Sequence, residues 1–119
     1  MADARSIAEQ YIAVWNETDD LKRRALIEDI FTADVRFTDP LASVTGQDEL
    51  DQFVGGAQAQ FAGLTFTLPA DPDAHHDLAR FQWHLGLPGE EPIAIGFDVI
   101  EIEDGRIAKV HGFLDKVPG

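Results

Sequence analysis

Apolar residues recur at intervals of three and four in the first half of the chain and at intervals of two in the second. In "ARSIAEQYIAVWN" (4–16), Ile7, Ala8, Tyr11, Val14 and Trp15 share one face, which predicts an amphipathic helix with Asp3 as its N-cap. Residues 19–31 repeat the pattern with Leu21, Ile27, Ile30 and Phe31 on the apolar side. In "TGQDELDQFVGGAQAQF", Thr45 and Asp48 have the spacing of a capping box, and Leu50, Phe53, Val54, Ala57 and Phe61 continue at helical intervals. Gly55 and Gly56 fall inside this third helix, where each costs about 1 kcal/mol relative to Ala and leaves room for a close neighbour.

A first strand surrounds "VRFTDP" (35–40), between the second and third helices. After Gly63 the period is two throughout. "LTFTL" sets Leu64, Phe66 and Leu68 against two threonines, and "LARFQWHL" sets Ala79, Phe81, Trp83 and Leu85 against Arg80, Gln82 and His84. Residues 93–103 and 106–115 predict two more strands, joined through "EDGR" with glycine at the tight position of a hairpin. The expected order is helix, helix, strand, helix, then four strands: an α+β domain with helices over one face of a sheet. A sheet curled around a long helix encloses a pocket, and the inward positions are rich in rings: Tyr11, Trp15, Phe37, Phe53, Phe61, Phe66, Phe81 and Trp83.

Length and composition narrow the function. The 119 residues predict one domain, 1–119. A net charge of −13 repels phosphate backbones and anionic lipid, so neither nucleic acid nor membrane is an expected partner. Cysteine is absent, which removes disulfides, thiolate metal sites and cysteine nucleophiles. With no long apolar run and no basic, apolar leader in "MADARSIAEQ", a cytoplasmic location is expected. "DPDAHHD" (71–77) reads as a solvated loop rather than a metal site, because adjacent side chains diverge. His84 and His111 fall on the outer side of the sheet. No phosphate-binding loop, dinucleotide fingerprint or Gly-x-Ser-x-Gly elbow is present.

Three polar groups share the apolar faces. Asp39 follows Val35 and Phe37 in period two, just before a proline; the alternative is an acid bonded to its own turn. Asp98, in "GFDVIEIED", falls with Ile100 and Ile102 opposite Glu101 and Glu103, unless a bulge near Gly96 flips the parity. Tyr11 lies between Ala8 and Trp15 on the first helix. Together they place two carboxyl groups and a phenol on the walls of one aromatic cavity. Burial there raises the pKa of at least one acid, which separates a proton acceptor from a neutral hydrogen-bond donor.

The order of elements and the phrases "QYIAVWN…FTADVRFTDP" and "GFDVIEIEDGRI" resemble the nuclear transport factor 2-like superfamily, in its SnoaL-like (polyketide-cyclase-like) and ketosteroid-isomerase branches. The resemblance implies a strongly bent, mostly antiparallel sheet forming a cone closed by three helices. It also implies the ketosteroid-isomerase roles: Asp39 of "TDP" as general base, with Tyr11 of "YIAVWN" and a neutral Asp98 of "FDVIEI" as donors to an enolate oxygen. Epoxide hydrolases of this fold need Arg and Asp where Ala79, Phe81 and Trp83 stand, and they and the cyclases need an acid near Gly112. The expectation is a cofactor-free isomerase acting on an apolar small molecule. Trp15, Phe37, Phe53, Phe61, Phe66, Phe81, Trp83, Ile100 and Gly112 would form the substrate wall. The alternative is a noncatalytic domain binding an apolar molecule or a protein partner. Ile93, Ile95, Phe97 and Phe113 give the outer sheet face an apolar cast, which predicts a homodimer.

Overall fold

The computed structural model describes residues 3–118. Helix α1 (Ala4–Asn16) begins as the sequence implies, with the Asp3 side chain accepting from the Ser6 N–H at 2.7 Å. Helix α2 (Asp20–Ile30) is capped in the same way by Asp19. It ends one residue before the expected limit, because Phe31 opens strand β1 (Phe31–Thr38) and is fully buried there. Leu21, expected on the apolar face, is 84% exposed; the inward position of that turn belongs to Arg23.

A short strand β2 (Ser43–Thr45) pairs back on β1 before helix α3 (Gln47–Gln60). The capping box expected from Thr45 and Asp48 does not form. Gly46 is the N-cap, at φ 85°, and Glu49 reaches back to the Thr45 N–H at 3.0 Å. Thr45 is extended because it is still paired with Arg36, so helix entry falls to the residue that tolerates a left-handed φ.

Five strands follow rather than four: β3 (Thr65–Thr67), β4 (Asp73–His75), β5 (Leu78–Gly86), β6 (Ala94–Glu103) and β7 (Arg106–Lys116). β4 lies in the segment read as a loop. His75 pairs with Leu78 across a two-residue turn, with His76 at φ 52°. The sheet order is β2-β1-β7-β6-β5-β3, with β4 on β5. β1 runs parallel to β7 and every other pair is antiparallel. The result is a strongly curved, unclosed mixed sheet with three helices across its concave face. Tyr11, Ile27, Phe31, Val35, Leu50, Phe81, Ile100 and Ile107 form its tightest packing.

The helices are tied together by a charge rather than by apolar contact alone. The buried Arg23 guanidinium donates to Asp51 at 2.7 Å, Gln58 at 2.8 Å and Asp20 at 3.0 Å. Gln58 in turn donates to the carbonyls of Trp15 and Glu17 at the end of α1. A Cβ on Gly55 would stand 3.2 Å from Arg23 Nη2, so this glycine makes room for the guanidinium. With each of its three nitrogens paired, the buried charge ties α2 to α3.

Candidate functional site

Between the helices and the sheet lies a cavity of about 310 Å³. Tyr11 and Trp15 of α1, Phe37 of β1, Phe53 of α3, Phe61, Phe66 of β3, Trp83 of β5 and Gly112 of β7 line it as expected. The rings are mutually packed: Trp15 lies 5.9 Å from both Phe37 and Phe53 and 5.4 Å from Phe66, and Phe66 lies 5.3 Å from Trp83, centroid to centroid. Two expected wall residues are not on the cavity. Phe81 and Ile100 are buried in the closed core, where Phe81 meets the edge of Tyr11 at 5.4 Å. They share the inward parity of Trp83 and Asp98 but sit one pair further along the strands, where the sheet has already closed onto α1.

All three polar candidates border the cavity. Asp98 is 3% exposed and points inward with Gly96 and Ile100. A register shift does occur beside Gly96, between Ile95 and Gly96, but it precedes Asp98 and leaves its parity intact. Burial pushes the Asp98 carboxyl from 3.8 up to about 7; hydrogen bonding from Tyr11 and Trp83 opposes the shift, and the nearby Asp39 charge adds to it. Its Oδ2 is buried without a well-formed hydrogen bond. The buried Tyr11 phenol is pushed well above its ordinary value by desolvation and then by the Asp98 charge, so it stays protonated and remains a donor.

Asp39 takes up both readings of "TDP". Its Oδ1 accepts from the N–H groups of Leu41 at 2.8 Å and Ala42 at 2.9 Å, and its own N–H donates to the Ala42 carbonyl. This is the turn that the proline announces. Both side-chain bonds use Oδ1, which leaves Oδ2 for a ligand. Asp39 and Asp98 flank the space above Gly112: a Cβ there would stand 2.8 Å from Asp98 Oδ1 and 3.1 Å from Asp39 Cβ.

Sequence reasoning took Gly96 only as the place of a possible bulge and missed what it does for Trp83. It pairs with Trp83, and an added Cβ would fall 2.0 Å from the indole. The indole therefore lies over bare backbone, which turns it towards Asp98. A tryptophan facing a glycine across two strands was the available signal. Ile12, Leu41, Ala57, Leu85, Ala94 and Leu114 also line the cavity. His111 is on the outer face, bonded to Glu101 at 2.6 Å, and His84 faces Gln82.

Residues 8–110 match the family model of the SnoaL-like domain. A provisionally assigned isomerase of the SnoaL-like family from Agrobacterium tumefaciens str. C58 is 37% identical, with a TM-score of 0.90 over 97% of this chain and 99% of that one. The chain belongs to the SnoaL-like family. Two further solved structures share the fold of this SnoaL-like protein. One is a provisionally assigned ketosteroid isomerase from Kribbella flavida DSM 17836 (19% identity, TM-score 0.71, 98% of this chain and 80% of that one). The other is a provisionally assigned SnoaL-like polyketide cyclase from Jannaschia sp. CCS1 (15%, 0.71, 97% and 90%). No curated protein matches the SnoaL-like chain.

Proposed function

We propose that this SnoaL-like protein is a cofactor-free isomerase that moves a proton alpha to a carbonyl on an apolar substrate. The observation that carries the reading is the buried Asp98 carboxyl with an unpartnered Oδ2, set beside the Tyr11 phenol and across Gly112 from Asp39. In this mechanism Asp39 Oδ2 takes the proton from the carbon next to the carbonyl. The C–H electrons move into the carbonyl to give a dienolate. Tyr11 and protonated Asp98 donate hydrogen bonds to its oxygen, and Asp39 returns the proton to the far end of the conjugated system. Asp98 must be protonated to donate, so turnover falls as pH rises through about 7.

The test is a β,γ-unsaturated ketone assay, following the growth of conjugated-enone absorbance in wild type and Asp39→Asn. The variant keeps the shape and loses the basicity; activity drops by at least about 100-fold while a planar phenol still binds. A noncatalytic pocket protein is the second reading, favoured by the engagement of Asp39 Oδ1 in its own turn. Binding of the phenol without conversion of any such ketone selects that reading. We also propose that two copies pair through the outer sheet face, where Phe97 faces Phe113 across β6 and β7 and Phe113 is 58% exposed. Light scattering that gives the mass of a single chain would rule out the pair.

A further inference from the structure

The cavity is an aromatic box with an unbalanced pair of acids. Neither Asp39 nor Asp98 takes part in an ion pair among the described residues. Lys116 is the one cationic side chain among the described lining residues. It is exposed, and its Nζ is held by the Pro92 carbonyl at 2.8 Å. The rings of Tyr11, Trp15, Phe37, Phe53, Phe66 and Trp83 line the same cavity. Ring faces attract cations, and they do so more strongly where water is excluded. Carboxylates with no protein counter-charge in such a place call for one from a ligand.

We propose that this cavity is a binding site for an apolar organic cation, a tertiary or quaternary ammonium whose charge sits between Asp39 and Asp98 while its body lies on the rings. The proposal stands apart from the isomerase reading, since it requires binding and no turnover. It predicts which acid state binds best. The titratable groups that line the cavity with Asp98 are Asp39 from the turn after β1, the Tyr11 phenol from α1 and Lys116 of β7; Trp83 of β5 and Gly112 of β7 carry no charge. With Tyr11 protonated throughout, Asp98 is the group whose ionisation changes the charge of the box near neutrality. Affinity for the cation rises with pH through about 7, opposite in sign to the turnover proposed above.

Both tryptophans of the chain line the cavity, so their fluorescence reports occupancy directly. The probe is benzyltrimethylammonium, compared with neopentylbenzene, which has the same shape and no charge. At about pH 8.5 the cation should bind at least about tenfold more tightly than the hydrocarbon. Towards about pH 5.5 its advantage should shrink at least about fivefold while hydrocarbon binding stays level. Asp98→Asn should remove that pH dependence, and Asp39→Asn should weaken the cation at both pH values. Each variant is first checked for native circular dichroism, and if Asp98→Asn does not fold, Asp39→Asn with the wild-type pH series decides. Equal binding of cation and hydrocarbon at the higher pH, or cation binding that does not change with pH, overturns the proposal. Enone formation, assayed without the cation, stands or falls independently.

Discussion

The concave face of the sheet has two halves built on one alternation, and they behave differently. In the closed half, Ala79 of β5 pairs with Ile100 of β6, which pairs with Val110 of β7, and Phe81 packs its ring on Tyr11 of α1; all are buried. In the open half, the same inward positions are Trp83 against Gly96, Leu85 against Ala94 and Asp98 against Gly112. Missing side-chain volume at Ala94 and Gly112 opens the cavity, and at Gly96 it seats the Trp83 indole. Asp98 and Tyr11 stand where the halves meet. Their backs are sealed by the closed core, which raises the Asp98 pKa, and their polar ends face the open side. A proton donor that is neutral near pH 7 needs both neighbours, a dry wall and an accessible space.

The largest effect should come from testing the halves against each other with one substitution. Phe81→Ala removes a fully packed ring and should cost about 3–5 kcal/mol of stability. Phe53→Ala removes a half-buried ring that already borders empty space, and should cost no more than ~1–2 kcal/mol while loosening an aromatic ligand. Denaturant unfolding measures both. Equal costs would mean that the cavity is closed in solution and that the division is wrong.

A smaller effect separates Asp98 from the apolar residues around it. Its folded pKa of about 7 lies above the ordinary 3.8, so between these values the folded state binds more protons than the unfolded one. Stability therefore falls as pH rises across that window, by roughly 4 kcal/mol for this group, and levels off above it. Asp98→Asn cannot ionise, so its stability relative to wild type should climb over the same range. A difference between the two that stays flat from pH 3.8 to about 7 would place Asp98 in water.

How much of this was legible beforehand differs by residue. Parity alone put Tyr11, Asp39 and Asp98 on one cavity, because period two and period 3.6 survive folding wherever a face is buried. Parity could not separate Phe81 and Ile100 from Trp83, because distance along a curved strand decides which inward residue meets a helix and which meets space. Strands β2 and β4 were invisible because three exposed or half-buried residues carry no pattern; they exist by pairing with a longer neighbour. Arg23 was missed for a related reason. A charged residue in a helical stripe reads as solvent-facing, and only its partners on α3, far along the chain, make its burial tolerable.

The smallest expected effect sharpens the boundary between the halves, and it uses two glycines. A Cβ on Gly112 would press on Asp98 Oδ1 at 2.8 Å and on Asp39 Cβ at 3.1 Å, with the Thr38 carbonyl at 3.6 Å behind. The Asp98 side chain is short and lies beside Tyr11 and Trp83, so it can yield only by shifting against them. Gly112→Ala should cost about 1 kcal/mol in stability, the low end for overpacking. It should also weaken a planar phenol about tenfold, since the space between the acids is lost. A Cβ on Gly56, in the middle of α3, meets nothing within 4 Å. Gly56→Ala should instead stabilise by up to ~1 kcal/mol through helix propensity and a less flexible unfolded chain, with ligand binding unchanged. The two substitutions add the same methyl group and differ only in what it meets. If Gly112→Ala bound the phenol as wild type does, the space above Gly112 would not be where the ligand's oxygen sits, and Asp39 and Asp98 would not act on one substrate.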